Sequence, residues 1–100
     1  MKYAFILMGK YQYGRDEASI SGGLSRMIGV SNLDEACDAA KKLQAEGVGC
    51  IELCGAFGED GARKIIEATG GTLPVGFVVH FPEQDDLFLK AFPHDKDKKD

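Results

Sequence analysis

Val48-Gly-Cys-Ile-Glu-Leu-Cys54, followed by Gly55-Ala-Phe-Gly58 and then Glu59-Asp-Gly-Ala-Arg-Lys-Ile-Ile-Glu-Ala-Thr69, is the stretch on which the fold turns. Its first part is a short apolar run of the kind that forms a buried strand. A glycine turn closes the run. The last part places Ala62, Ile65, Ile66 and Thr69 on one helical stripe, and Glu59 and Asp60 at its start complement the positive end of the helix dipole. Strand, tight turn and helix in this order predict a crossover unit of a parallel sheet.

The same pattern repeats on either side. Downstream, Gly70-Gly71 ends the helix and Pro74-Val-Gly-Phe-Val-Val-His80 reads as another strand. Upstream, Asn32 with Glu35 three residues later resembles a capping box, and Leu33, Ala36, Cys37, Ala40 and Leu43 follow at helical spacing until Gly47. Leu24 to Val30 reads as a strand on the shared parity of Leu24, Ile28 and Val30, with Arg26 breaking the alternation. Lys2-Tyr-Ala-Phe-Ile-Leu-Met-Gly9 is an apolar first strand. Between these two, Lys10 to Gly23 shows no sustained period and reads as a long loop, with room for a turn of helix over Asp16 to Ile20.

The predicted architecture is α/β, a small and largely parallel sheet of about four strands with two crossover helices mainly on one face. Residues 1–84 form one domain, and 85–100 form a C-terminal extension without a defined element, ending in Asp95, Lys96, Asp97, Lys98, Lys99 and Asp100, a solvated mixed-charge tail. If the last three strands are consecutive neighbours, both crossovers place their helices on the same face of the sheet, and the other face is left bare. Alternation along the central strand sends Ile51 and Leu53 to the helices and Cys50, Glu52 and Cys54 the other way.

A chain of 100 residues holds one hydrophobic core, and 44% apolar with 28% charged residues is an ordinary globular composition. A net charge of −4 with scattered basic residues argues against nucleic acid as a partner. No run approaches the ~20 apolar residues of a membrane span, and Met1-Lys2 leads directly into a strand, so membrane is not expected as a partner and the cytoplasm is the expected location. The three cysteines form no C-x-x-C pair, and Cys50 and Cys54 lie roughly 13 Å apart along one strand, which predicts reduced thiols.

Ligands of open α/β sheets bind beyond the carboxyl ends of the parallel strands. There the sequence brings Cys54 and His80, with Glu52 one step deeper and the Gly55, Ala56, Phe57 and Gly58 turn leading to a helix N-terminus that suits a small anionic ligand. Each residue also has a plainer reading. Cys54 is a small hydrophobe that fills a core, and His80 beside Phe81-Pro82 is a hydrogen-bonded structural residue. Glu52 between cysteines calls for a partner, with Arg26, Arg63 or a lysine of a second chain as candidates. No P-loop, zincin, C-x-x-C or G-x-S-x-G signature occurs, and no cofactor or metal is implied by motif.

Gly47-Val-Gly-Cys-Ile-Glu-Leu-Cys-Gly-Ala-Phe-Gly58, then Gly61-Ala62, then Pro74-Val-Gly-Phe-Val-Val-His-Phe-Pro-Glu-Gln84 resembles a family of short prokaryotic single-domain proteins of unknown function. The likeness spans Met1 to Gln84 apart from the loop after Gly9, and implies a small stand-alone domain with no activity to transfer. The glycine-strand-glycine rhythm also looks like one repeat of a (β/α) barrel aldolase, but the strand-end lysine of such enzymes is missing from the strands read here.

Three functional readings follow from the residues. The first is a small-molecule binding or accessory domain acting as a homodimer or larger assembly, its contact made by Cys50, Val78 and the first strand, rimmed by Tyr11, Tyr13 and Phe81 to Phe92. The second is a thiol or acid–base enzyme with Cys54 as nucleophile, His80 as base and Glu52 as orienting carboxylate, which requires Cys54 within hydrogen-bond reach of His80. The third uses Glu52, Cys54 and His80 as ligands of a catalytic zinc.

Overall fold

The computed structural model describes residues 1–93. Its strands are β1 (Lys2–Met8), β2 (Glu17–Ile20), β3 (Ser25–Val30), β4 (Val48–Leu53) and β5 (Val75–Phe77), and its helices are α1 (Leu33–Ala45), α2 (Gly58–Ala68) and α3 (Asp85–Ala91). The strands form one sheet in the order β2-β3-β1-β4-β5. β1 pairs in parallel with β3 and β4, β4 with β5, and only β2 runs antiparallel, beside β3. The class is therefore α/β and the sheet largely parallel, as the periodicity predicts.

Four details differ from that prediction. The loop after Gly9 holds a fifth strand, β2, where a helical turn was allowed for; all of its residues are exposed, so it lacks the buried alternate face that makes a strand legible. β1 lies between β3 and β4, so the three later strands are not consecutive neighbours. β5 ends at Phe77 and not at His80, because its partner β4 stops at Leu53, whose carbonyl takes the last ladder bond from the Val78 amide at 2.9 Å. And the extension after residue 84 contains α3, led in by a single 3-10 turn at Pro82–Gln84. The mixed-charge tail lies outside the described residues.

Both long helices cover the same face: α1 packs on β1, β3 and β4, and α2 packs on β5 and α1. The capping box is present in a modified form. Asn32 accepts the Glu35 amide at 2.8 Å, while the Glu35 carboxylate reaches one residue further back, to the Ser31 amide at 2.8 Å and the Ser31 hydroxyl at 2.9 Å. Gln44 Nε2 of α1 donates to the Thr69 carbonyl at the end of α2 at 3.0 Å, tying the two helices together.

Gly49 corrects the alternation in β4. Lys2 faces Val48 and Tyr3 faces Cys50, so Gly49 is an extra residue, a bulge. Val48 before it and Ile51 and Leu53 after it are consequently all buried under the helices. A side chain at Gly49 would meet Met1 Cγ at 2.8 Å.

The register sorts the sheet into two surfaces. Ile28, Ile6 and Leu53 form one row under the helices, with Ala4 and Ile51 beside them, and Phe57 and Ile65 close the core from above. On the opposite surface Ala18, Met27, Phe5 and Glu52 make a row, flanked by Ile20, Tyr3 and Cys50 on one side and Leu7 on the other. Among the described residues, no helix packs on this second surface. Among the described residues no helix is long and apolar enough to cross a membrane.

Candidate functional site

The residues expected to form a site go to three different places. Glu52 is on the open surface, where the Tyr3 hydroxyl donates to Glu52 Oε1 at 2.8 Å. Burial, and then this carboxylate, push the Tyr3 phenol up to about 12. Of the ionic partners considered for Glu52, Arg26 binds Glu17 and Glu46, and Arg63 binds Glu59. Cys54 follows β4 and packs against the core, its Sγ accepting the Met8 amide at 3.4 Å. His80 lies beyond β5, where its Nε2 bonds Asp85 Oδ1 at 2.7 Å and its ring stacks on Phe88 with centroids 3.9 Å apart. Among the described residues no hydrogen bond joins any two of Glu52, Cys54 and His80, and no three His, Cys, Asp or Glu side chains gather as a metal site would require.

The Gly55 to Gly58 turn is equally committed to structure. Phe57, expected to line a ligand site, is buried in the core, and its amide donates to the Cys54 carbonyl at 3.1 Å. Gly61 makes room for it, since a side chain there would approach Phe57 Cβ to 3.1 Å. Gly58 has φ +63°, which a glycine adopts without strain. Glu59 and Asp60 already occupy the first turn of α2, so an anion arriving at this helix end would meet two carboxylates.

Two concavities lie elsewhere, on either side of the β2–β3 hairpin. The loop before β2 creates both by straddling the sheet. Its Tyr11 lies over the open surface against Gly29, where a side chain would come within 2.8 Å of Tyr11 Cβ. Its Tyr13 lies on the helix side, with its hydroxyl donating to Asp38 Oδ2 of α1 at 2.7 Å. The loop is closed at its base by Asp16, whose Oδ2 accepts the Gln12 amide at 2.7 Å, and that bond holds the carboxyl below its usual range.

On the helix side the concavity, open to solvent along one side, measures about 430 Å³, with Ile28, Ala39 and Leu43 as floor and Tyr13, Arg26, Lys42, Glu17 and Glu46 as walls. Arg26 is the centre of its charge. Burial opposes the guanidinium's charge, yet Glu46 and Glu17 outweigh it and raise the pKa above the usual value. Lys42 sits 3.1 Å from Asp38 and 5.6 Å from the centroid of the Tyr13 ring. The Tyr13 hydroxyl bond lowers the Asp38 carboxyl, with Lys42 adding to it, and burial together with Asp38 raises the Tyr13 phenol. Cations and carboxylates on the walls balance, so the volume suits a small polar molecule with both donor and acceptor groups. The sequence carried one sign of this arrangement, in Arg26 at an otherwise apolar parity of β3. Lys42 and Glu46 are unremarkable on an exposed helix, and only the fold brings them to Arg26.

On the open side the second concavity, about 520 Å³, is shallow and has an apolar floor of Leu7, Met27 and Ala18 with Tyr11 as its wall.

No curated protein and no solved structure matches the chain. The profile of a family of unknown function (DUF6506) matches residues 1–93, and the chain belongs to that family.

Proposed function

We propose that this chain is a small-molecule binding or accessory domain that acts as a homo-oligomer, with its ligand in the 430 Å³ cavity between Tyr13, Arg26 and Lys42. The observation that carries the reading is that cavity: a half-buried arginine with two carboxylate partners stands over an aliphatic floor, under a loop pinned by Asp16 and Tyr13. A ligand with a carboxylate and an amine can replace one wall contact of each sign without leaving a buried charge unpaired. The location we assign is the cytoplasm, consistent with three free cysteines.

The Cys54 and Gly55 to Gly58 edge is the weaker place for a ligand, because Phe57 is core and the adjoining helix start is acidic. A thiol or acid–base enzyme would need Cys54, His80 and Glu52 to converge. Each instead has a different partner, which favours binding over catalysis.

The test is a thermal-shift screen with small zwitterionic and neutral polar metabolites. At least one compound raises the melting temperature of the native chain, and Lys42→Glu, a change at an exposed position of α1, abolishes the rise. A screen in which no compound acts, or in which Lys42→Glu responds like the native protein, rejects the cavity as the site.

A further inference from the structure

Two surfaces of this chain are left over after the fold is complete, and they match each other. The first is the segment that leaves β5. From Val78 to Pro93 only Leu89 is even partly buried, although the segment carries Val78, Val79, Phe81, Leu87, Phe88 and Phe92. Val79 and Phe81 are 72% and 73% exposed. Those six side chains present on the order of 600 Å² of apolar surface to water. The segment is nonetheless ordered within itself: His80 stacks on Phe88, Phe88 stacks on Phe92 with centroids 6.3 Å apart, and His80 bonds Asp85. α3 packs chiefly on its own lead-in turn and not on the sheet.

The second leftover surface is the open side of the sheet, where Ile20 is 68% and Met27 47% exposed and the 520 Å³ concavity has Leu7, Met27 and Ala18 as its floor. We propose that the arm formed by residues 78–92 docks on the open sheet surface of a second copy of the chain, its aromatic side chains entering the concavity beneath Tyr11, and that the exchange is reciprocal. The proposal rests on the self-association reading above and gives it a form.

Three observations favour this occupant over another. The chain itself supplies both halves, a projecting apolar arm and a bare apolar face, in equal number, which is the requirement of a closed two-fold exchange. The area fits: two arms, each covering a similar area of sheet, bury roughly 2,000 Å² in all, within the range of stable dimers. The internal stacking of the arm means that little is lost in ordering it on binding.

The experiment uses sedimentation of the full chain and two variants at exposed positions, each verified as folded by circular dichroism. Phe81→Asp spoils the arm and Met27→Asp spoils the face. The native chain sediments as a dimer of its 10.8 kDa mass at micromolar concentration, and each variant alone has a dimer dissociation constant raised at least about a hundredfold. Mixing the two variants recovers part of the association, to a dissociation constant between those of the native chain and of either variant alone, because one of the two reciprocal contacts, the arm of the Met27→Asp chain on the face of the Phe81→Asp chain, is then intact. A native monomer overturns both the exchange and the self-association behind it. A native dimer unaffected by Phe81→Asp, or variants that fail to recover on mixing, overturns the exchange alone and leaves self-association standing.

Discussion

The two surfaces of the sheet are made by the same strands and differ in what they are for. Under the helices, Ile6, Ile51 and Leu53 are fully buried among Ala36, Ala40, Ile65 and Phe57. On the reverse, one residue along each strand, Leu7, Phe5 and Cys50 are only half-buried and Met27 is exposed. Since stability follows the apolar area withdrawn from water, the helix side accounts for the fold of the single chain. The open side contributes less to that fold, and under the proposed exchange it is the surface that a second copy covers.

The sharpest way to break this comparison is to truncate matched residues on the two sides. Leu53→Ala removes a fully buried side chain and is expected to cost about 2–5 kcal/mol by chemical denaturation, measured at a concentration that keeps the chain monomeric. Phe5→Ala, on the adjacent strand and facing the other way, is expected to cost about 1–2 kcal/mol under the same conditions, less than Leu53→Ala because the ring is only partly withdrawn from water. Equal losses would mean that the open side is as much a part of the core as the covered one.

Val78→Asp acts at the root of the arm, where Val78 is half exposed and its amide makes the last bond of the sheet. The single chain keeps its melting temperature to within a few degrees at dilute concentration, whereas the associated form loses both mass and melting temperature, because a charge enters a desolvated contact. Retention of the native mass by this variant would place Val78 outside the contact.

How much of this was legible in the sequence depended on whether burial left a period. The two long helices and the strands β1, β3 and β4 were readable because one side of each meets the core, and Asn32 with Glu35 announced the start of α1. β2 was not readable, since an edge strand exposed along its length has no apolar face to repeat. α3 was hidden because it is only seven residues long: Leu87, Phe88 and Ala91 mark a single turn, too short a run to show a period. The candidate site was less legible still. Alternation along β4 correctly sent Cys50 and Glu52 to the open side, but the Tyr3 that binds Glu52 lies 49 positions away, and only strand pairing brings them together. The strand signal of Val78-Val79-His80 was real as a propensity, and failed because β4 offers no neighbour beyond Leu53.

Smaller effects sharpen the same picture. Asn32→Ala removes the cap of α1 and is expected to cost about 1 kcal/mol by denaturation, a loss confined to the covered side. The tyrosines report on each surface by pH. Raised to about 12, the Tyr3 phenol gives a contribution to stability that is complete below the usual tyrosine value near 10 and is lost as pH rises through 12. Absorbance titration should show a last phenolate step near pH 12, and Tyr3→Phe should remove it. Asp16 and Asp38 run the other way. Their carboxyls are held below the ordinary range, so what they contribute is present above about pH 4 and disappears as pH falls through the lower folded values. Acid should therefore loosen the Tyr11 and Tyr13 loop before the core melts, visible as a change in tyrosine fluorescence ahead of the change in far-ultraviolet circular dichroism.

The mass of the 100-residue chain in solution, followed across a dilution series, tests the proposed exchange most directly. Sedimentation equilibrium should give twice 10.8 kDa at micromolar concentration, falling toward 10.8 kDa only on strong dilution. A particle of 10.8 kDa at every concentration would contradict it, because the open surface of the sheet would then face water with nothing of this chain to cover it.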